Sequence, residues 1–275
     1  MTAPGPTGAE DGLSADEGGL GASEKRNVRE ALEHLERTEA RHLPVLLDRV
    51  RRGMDLPEGS RVLEIGAAQG TYLVALARQG FKPSGVEPWE PALETAKELA
   101  KHTGVDTDIH LGSGESLPFE DDTFQFALAI SVMEHVDDPL QVCTEVARVL
   151  KPGGGFYFYT GSRLYPRQVE IKRFPLFPWY PTRLQRKIMW WAAENRPHLV
   201  GHTTRPAMHW FTPWGTRRML RDAGFSKIYE RWELAEPDEV KTTKARVGMK
   251  LLQRYRAAQA AAAFLDGAIA FLAVK

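Results

Sequence analysis

Between Arg61 and Thr160 short continuous apolar runs alternate with stretches of helical periodicity. Arg61 to Ile65, a segment ending at Gly85 to Glu87, Thr107 to Leu111, Phe124 to Ile130 and Gly155 to Thr160 read as strands, since apolar runs bounded by turn residues mark buried strands. Gly70 to Gln79, Pro91 to Lys101 and Pro139 to Leu150 carry the spacing of helices, and Lys151-Pro152-Gly153-Gly154 stops the last of them.

The rhythm breaks at residues 164–210, which are rich in proline, aromatic and basic residues, and resumes afterwards. Thr212 to Ala223 predicts a capped helix, Phe225 to Trp232 a strand, Lys241 to Ala263 one long helix and Ile269 to Val274 a final strand. The expected fold class is therefore α/β: a Rossmann-like seven-stranded, mainly parallel sheet with helices on both faces and an inserted aromatic-rich helical cap. The expected divisions are a disordered tail over 1–23, N-terminal helices over 24–56, a core over 57–163, the cap over 164–210 and completion of the core over 211–275. The tail expectation rests on a lack of large apolar side chains to repay ordering. The helices of 24–56, with Val28, Leu32, Leu35, Leu43, Leu46 and Val50 at helical spacing, are expected to cover the edge or mouth of the sheet.

Composition narrows the partners. The 36 basic and 36 acidic residues cancel, which removes the electrostatic footprint of a general nucleic-acid binder. One cysteine, Cys143, allows no internal disulfide, and together with an N-terminus lacking signal-peptide features it implies a cytoplasmic setting. No apolar run approaches the ~18 residues needed to span a bilayer, although the Trp, Tyr, Arg and Lys mixture of 174–191 leaves interfacial contact open.

The sharpest chemical signal is Val62-Leu63-Glu64-Ile65-Gly66-Ala67-Ala68-Gln69-Gly70, a buried strand entering a glycine turn and then a helix. Glycine there lets the backbone turn tightly and lets a ligand approach without a Cβ in its way. Glu87 follows 21 residues after Gly66, at the end of the next strand, where a carboxylate can accept from both hydroxyls of a ribose. A dinucleotide site wants a third glycine and a helix N-terminus aimed at pyrophosphate, whereas Gly66, Ala68 and Thr71 occupy the corresponding positions. The Glu64 carboxylate would repel pyrophosphate and suit an ammonium and a sulfonium, as in S-adenosylmethionine.

These residues resemble the motifs of the class I S-adenosylmethionine-dependent methyltransferases. Glu64 to Gly70 is similar to the family's first motif, Glu-x-Gly-x-Gly-x-Gly, with Ala68 in place of the middle glycine. Gly85-Val86-Glu87-Pro88 looks like the ribose segment, and Gly112-Ser113-Gly114-Glu115-Ser116-Leu117-Pro118-Phe119 like the adenine segment. Ile130 to Pro139 and Glu145 to Gly154 match two further patterns. The resemblance is tight over 57–163, looser over 211–234 and absent over 164–210. It implies S-adenosylmethionine as cofactor, with Glu64, Gly66, Ala68, Gly70, Glu87, Pro88, Ser113, Gly114, Glu115 and Ser131 as cofactor-binding residues. Ser113 stands where the family usually has an aspartate for the adenine amino group, and a hydroxyl accepts more weakly.

The loop after the fourth strand is expected beside the reactive methyl, so Glu134 and His135 are candidates for contact with the acceptor. The other reading is that they orient the loop. Ubiquinone-type O-methyltransferases, which this segment resembles, hold a metal with Glu-x-x-Glu-His, but Ser131 replaces the first glutamate and no metal is assigned. His209 is the candidate second base. Six of the seven tryptophans and many arginines and lysines lie in or after the insertion. They read either as a cover for a flat or glycan-like acceptor or as the core of a small helical cap. The expected function is methyl transfer to a small-molecule acceptor, an oxygen of a sugar, polyketide or quinone-like metabolite. Transfer to nitrogen or carbon is the alternative, and Ala68 and Ser113 keep open a non-catalytic cofactor-binding module.

Overall fold

The computed structural model describes residues 22–166, 171–200, 205–236 and 242–275. The expected tail, up to residue 21, lies outside the described residues, as do parts of the expected cap, and α1 begins at Ala22. The chain runs α1 (Ala22–Arg37), a π-helical turn (Thr38–His42), α2 (Leu43–Gly53), β1 (Arg61–Ile65), α3 (Thr71–Arg78), β2 (Lys82–Glu87), α4 (Glu90–Thr103), β3 (Asp108–Leu111) and β4 (Phe124–Ile130). It continues through α5 (Pro139–Val149), β5 (Leu150–Gly161), α6 (Thr182–Asn195), α7 (Pro213–Asp222), β6 (Lys227–Glu230), α8 (Arg231–Leu234), α9 (Thr243–Arg254), α10 (Arg256–Ala262) and β7 (Ala268–Val274).

The seven strands form one sheet in the order β3-β2-β1-β4-β5-β7-β6. All neighbours are parallel except β7, which runs antiparallel to both β5 and β6. Strand order reverses between β1 and β4, and such a reversal opens a crevice at the carboxyl ends of the strands.

Strand alternation sorts the core into two layers, since successive side chains point to opposite faces. Leu63, Ile65, Ala127, Phe156, Phe158 and Phe271 pack with Val142 and Val146 of α5 and Leu220 of α7. Val62, Phe126, Leu128, Tyr157 and Leu272 pack with Leu46 and Val50 of α2, Val74 of α3 and Leu99 of α4. The N-terminal helices thus cover a sheet face and not the mouth of the crevice, because Leu35, Leu43, Leu46 and Leu47 bury against α3, α4 and the sheet.

Two elements differ from the sequence reading. The strand expected to reach Trp232 ends at Glu230, because Glu230 and Glu233 form a reciprocal capping box that starts α8. The single C-terminal helix is broken at Tyr255, whose backbone is extended, and Gln259 Nε2 donates to the carbonyl of Leu252 across the break at 2.8 Å.

The insertion has its own core. Phe177 is fully buried against Phe174, Tyr180 and Trp210, with Ile171, Met189, Ala192 and Leu199 around them. Trp179, Trp190 and Trp191 are about half exposed. Among the described residues no helix is long and apolar enough to cross a membrane.

Candidate active site

β1, β2 and β4 deliver their last residues, Ile65, Glu87 and Ile130, to one cleft of about 630 Å³. That volume lies in the range of small-molecule and cofactor sites. Gly66, Ala68, Pro88, Ser113, Gly114, Glu115, Ser131 and His135 line it as well. Most of the residues singled out from the sequence therefore meet in one place.

Glycine is required at two of these positions for steric reasons. Gly66 has φ +66°, and a Cβ there would lie 2.6 Å from Cγ2 of Val132. A Cβ on Gly114 would lie 2.8 Å from Cγ2 of Ile65. Ala68 and Ser131 also adopt positive φ, 47° and 55°, a costly conformation for residues with a Cβ.

Glu87 fixes the loop after β1. Its Oε2 accepts the backbone N–H of Ala68 at 2.8 Å and its Oε1 accepts that of Trp89 at 3.0 Å. A carboxylate offers about four lone-pair sites, so both oxygens retain acceptor capacity toward the cleft. Glu115 plays a similar part on the other wall, accepting the N–H of Asp137 at 2.8 Å.

Four candidates stand outside the lining. Glu64 shares the sheet face of Val62, where it is buried and accepts the N–H of Leu73, leaving its Oε2 without a partner. Burial, and next the charge of Glu87, holds its carboxyl well above the usual carboxylate range. Glu64 thus acts on the cleft from behind the loop and does not touch it. Gly70 has φ +74°, and a Cβ there would lie 2.9 Å from Cβ of Ala96, so its role is to let α3 start against α4.

Glu134 is turned into the interior, where Thr160 Oγ1 donates to its Oε2 at 2.7 Å. Burial raises its pKa, opposed by the Thr160 hydrogen bond and by His135. Its carbonyl accepts the N–H groups of Met208 and His209, at 2.7 and 3.2 Å. The geometry therefore matches the loop-orienting reading of Glu134. His209 Nε2 lies 3.2 Å from the carbonyl of Asp137, which can only accept, so this contact places the proton on Nε2. Burial and the nearby Arg186 lower the His209 pKa.

His135 is the candidate that faces the cleft, and its Nδ1 is buried with no hydrogen-bond partner. The sequence reading missed Gln69, Trp89, Ala92, Val132, Val136, Asp137 and Arg205, which complete the walls. Trp89 follows the Gly85 to Pro88 motif directly, and that position was the readable signal; its indole is half exposed. Arg205 was not readable: it is the one described residue of the insertion that lines the cleft, where it pairs with Asp137. The half-exposed tryptophans of the insertion do not line it.

The charged lining is Glu87, Glu115 and Asp137 against Arg205, an acidic balance. It suits a ligand with cationic groups and a sugar diol, and it opposes a pyrophosphate.

Comparison with known proteins agrees with this geometry. The family described as "Methyltransferase domain" matches residues 63–158. Over 121 residues the chain is 33% identical to a ubiquinone biosynthesis O-methyltransferase of Hahella chejuensis, covering 44% of this chain and 50% of that protein. Over 98 residues it is 39% identical to an uncharacterized methyltransferase of a Mycobacterium species, covering 36% of this chain and 37% of that protein. The chain thus matches about half or less of the length of these curated relatives. A solved S-adenosylmethionine-dependent methyltransferase of Aquifex aeolicus superposes with a TM-score of 0.51 at 16% identity, covering 90% of this chain and 97% of that one, a likeness of fold. The strand-turn motif, the two cleft glycines and the match to a methyltransferase domain all fall on the same segment, residues 63–158.

Proposed function

We propose that this protein transfers a methyl group from S-adenosylmethionine to an oxygen of a small cytoplasmic metabolite of sugar, polyketide or quinone-like type. The observation that carries the reading is the acidic cleft at the sheet's reversal point, with Glu87 at the end of β2 on its wall and glycine-enforced access at Gly66 and Gly114. The name of the Hahella relative, a ubiquinone biosynthesis O-methyltransferase, supports an oxygen acceptor of quinone-like type.

In this reading Glu87 receives the ribose hydroxyls, and the Ser113 to Glu115 segment borders the adenine. The loop of Gly66 and Ala68, with Ser131 opposite, receives the aminocarboxylate tail. The bound cofactor supplies an electrophilic methyl carbon on a cationic sulfur. The protein's own contribution is to hold the acceptor in line, exclude water and take up the hydroxyl proton. His135 is the residue we assign to that last task, because it is the titratable imidazole that lines the cleft.

Calorimetry with S-adenosylmethionine, S-adenosylhomocysteine and NAD tests the cofactor, followed by transfer from methyl-labelled cofactor to hydroxylated sugars, polyketides and quinols. Binding of the first two with no binding of NAD is the expected result. Preferential binding of NAD, or no nucleoside binding at all, overturns the reading.

A further inference from the structure

Arg205 is the one arginine or lysine among the described residues of the cleft wall, which it shares with Glu87, Glu115 and Asp137. Its guanidinium is paired with Asp137, both side chains being well exposed at 44% and 76%. An exposed pair of this kind is worth little and exchanges partners readily. The backbone of Asp137 is independently anchored: its N–H donates to Glu115 and its carbonyl faces His209 Nε2. The segment carrying Arg205 is also anchored, because Met208 and His209 donate to the carbonyl of Glu134. Both walls are therefore fixed by bonds that do not involve the ion pair, and the pair is free to open without the cleft coming apart.

From this arrangement, and resting on the methyl-transfer reading above, we infer that Arg205 is a carboxylate receptor: Asp137 holds it in place in the free protein, and a carboxylate of the bound ligand replaces Asp137. A guanidinium suits this exchange because its planar fork offers several fixed N–H donors that can pass from one carboxylate to another. The carboxylate has two sources, an acid group on the acceptor or the aminocarboxylate tail of the cofactor. Arg205 precedes His209 by four residues in the irregular segment that leaves the insertion, and it lines the same cleft as His135.

The test pairs two substitutions with opposite expected signs. Arg205→Gln removes the receptor, and Asp137→Asn removes its competitor while keeping the backbone contacts of residue 137. The cofactor arm compares S-adenosylhomocysteine with 5′-methylthioadenosine, which lacks the carboxylate. The acceptor arm compares 4-hydroxybenzoate with 4-hydroxybenzamide on protein saturated with S-adenosylhomocysteine. In the arm that contains the true source, Arg205→Gln weakens the acid at least ~10-fold and leaves the neutral probe within about twofold. Asp137→Asn strengthens the acid several-fold, and that gain disappears in the double variant. Equal behaviour of acid and neutral probes in both arms, or a gain from Asp137→Asn that persists without Arg205, overturns the inference. Failure of the unsubstituted protein to bind S-adenosylhomocysteine and 5′-methylthioadenosine at all would overturn the methyl-transfer reading instead.

Discussion

Glu87 accepts the backbone N–H of Ala68 at 2.8 Å, so the carboxylate proposed to receive the ribose also holds the loop after β1 in shape. The positive φ of Ala68 gives this bond a task, since a strained residue persists only when its surroundings over-determine it. Removal of the carboxylate therefore acts twice. Glu87→Ala is expected to weaken S-adenosylhomocysteine by about 1–3 kcal/mol through unpaired ribose hydroxyls alone, with a further loss from the freed loop. Glu87→Gln keeps one acceptor oxygen and should fall between. Titration calorimetry measures both, and an Ala variant that binds normally contradicts the ribose assignment.

Gly66 and Val132 meet across the cleft floor, and this contact makes a second expectation specific. Gly66→Ala costs stability for its positive φ and for a Cβ 2.6 Å from Val132 Cγ2, together about 1–3 kcal/mol. Gly66→Ala combined with Val132→Ala relieves the overlap but not the backbone strain, so thermal melts should show partial recovery. A double variant no better than the single one would mean that the backbone conformation alone sets the cost.

Much of this site was readable because its residues are local to strand ends. Glycine, the turn after an apolar run and a carboxylate at the next strand end are short-range signals, and Gly66, Glu87, Ser113, Glu115 and His135 all reached the cleft. Glu64 was misjudged in orientation, although the alternation of a strand already placed it on the face of Val62 and opposite Leu63. The end of β6 was equally readable, since Glu230 and Glu233 have the spacing of a capping box. Arg205 and Asp137 were not readable. They are 68 residues apart, and the path of the insertion that joins them leaves no periodic trace in the chain.

Glu134 and His135 are neighbours in sequence with opposite surroundings, which separates their expected phenotypes. Thr160→Val leaves the buried Glu134 carboxylate without its hydroxyl donor and should cost about 1–3 kcal/mol of stability, with cofactor affinity little changed. His135→Ala should leave the melting temperature and cofactor affinity near normal and lower kcat by ~10²–10⁴, the usual contribution of a general base. Full turnover in His135→Ala would assign the proton to another acceptor, with His209 the next to replace.

Glu64 makes stability depend on pH, and the sign follows from its burial. Its folded-state pKa is raised well above the ordinary 4.5 by desolvation and by the charge of Glu87. The native state therefore holds a proton that the unfolded chain has already released. Between pH 4.5 and the raised value, stability falls as pH rises, because the unfolded state binds fewer protons than the folded one. The contribution is fully present below pH 4.5 and lost as pH climbs through the folded-state value. Glu64→Gln keeps an oxygen for the Leu73 N–H and has no proton to release, so its stability relative to the unsubstituted protein should rise with pH across that window and then level off. Chemical denaturation of both proteins at a series of pH values from 4.5 upward measures this difference directly. A difference that is constant with pH would mean that Glu64 titrates alike in the folded and unfolded chains, and its buried, unpartnered Oε2 would then need another explanation.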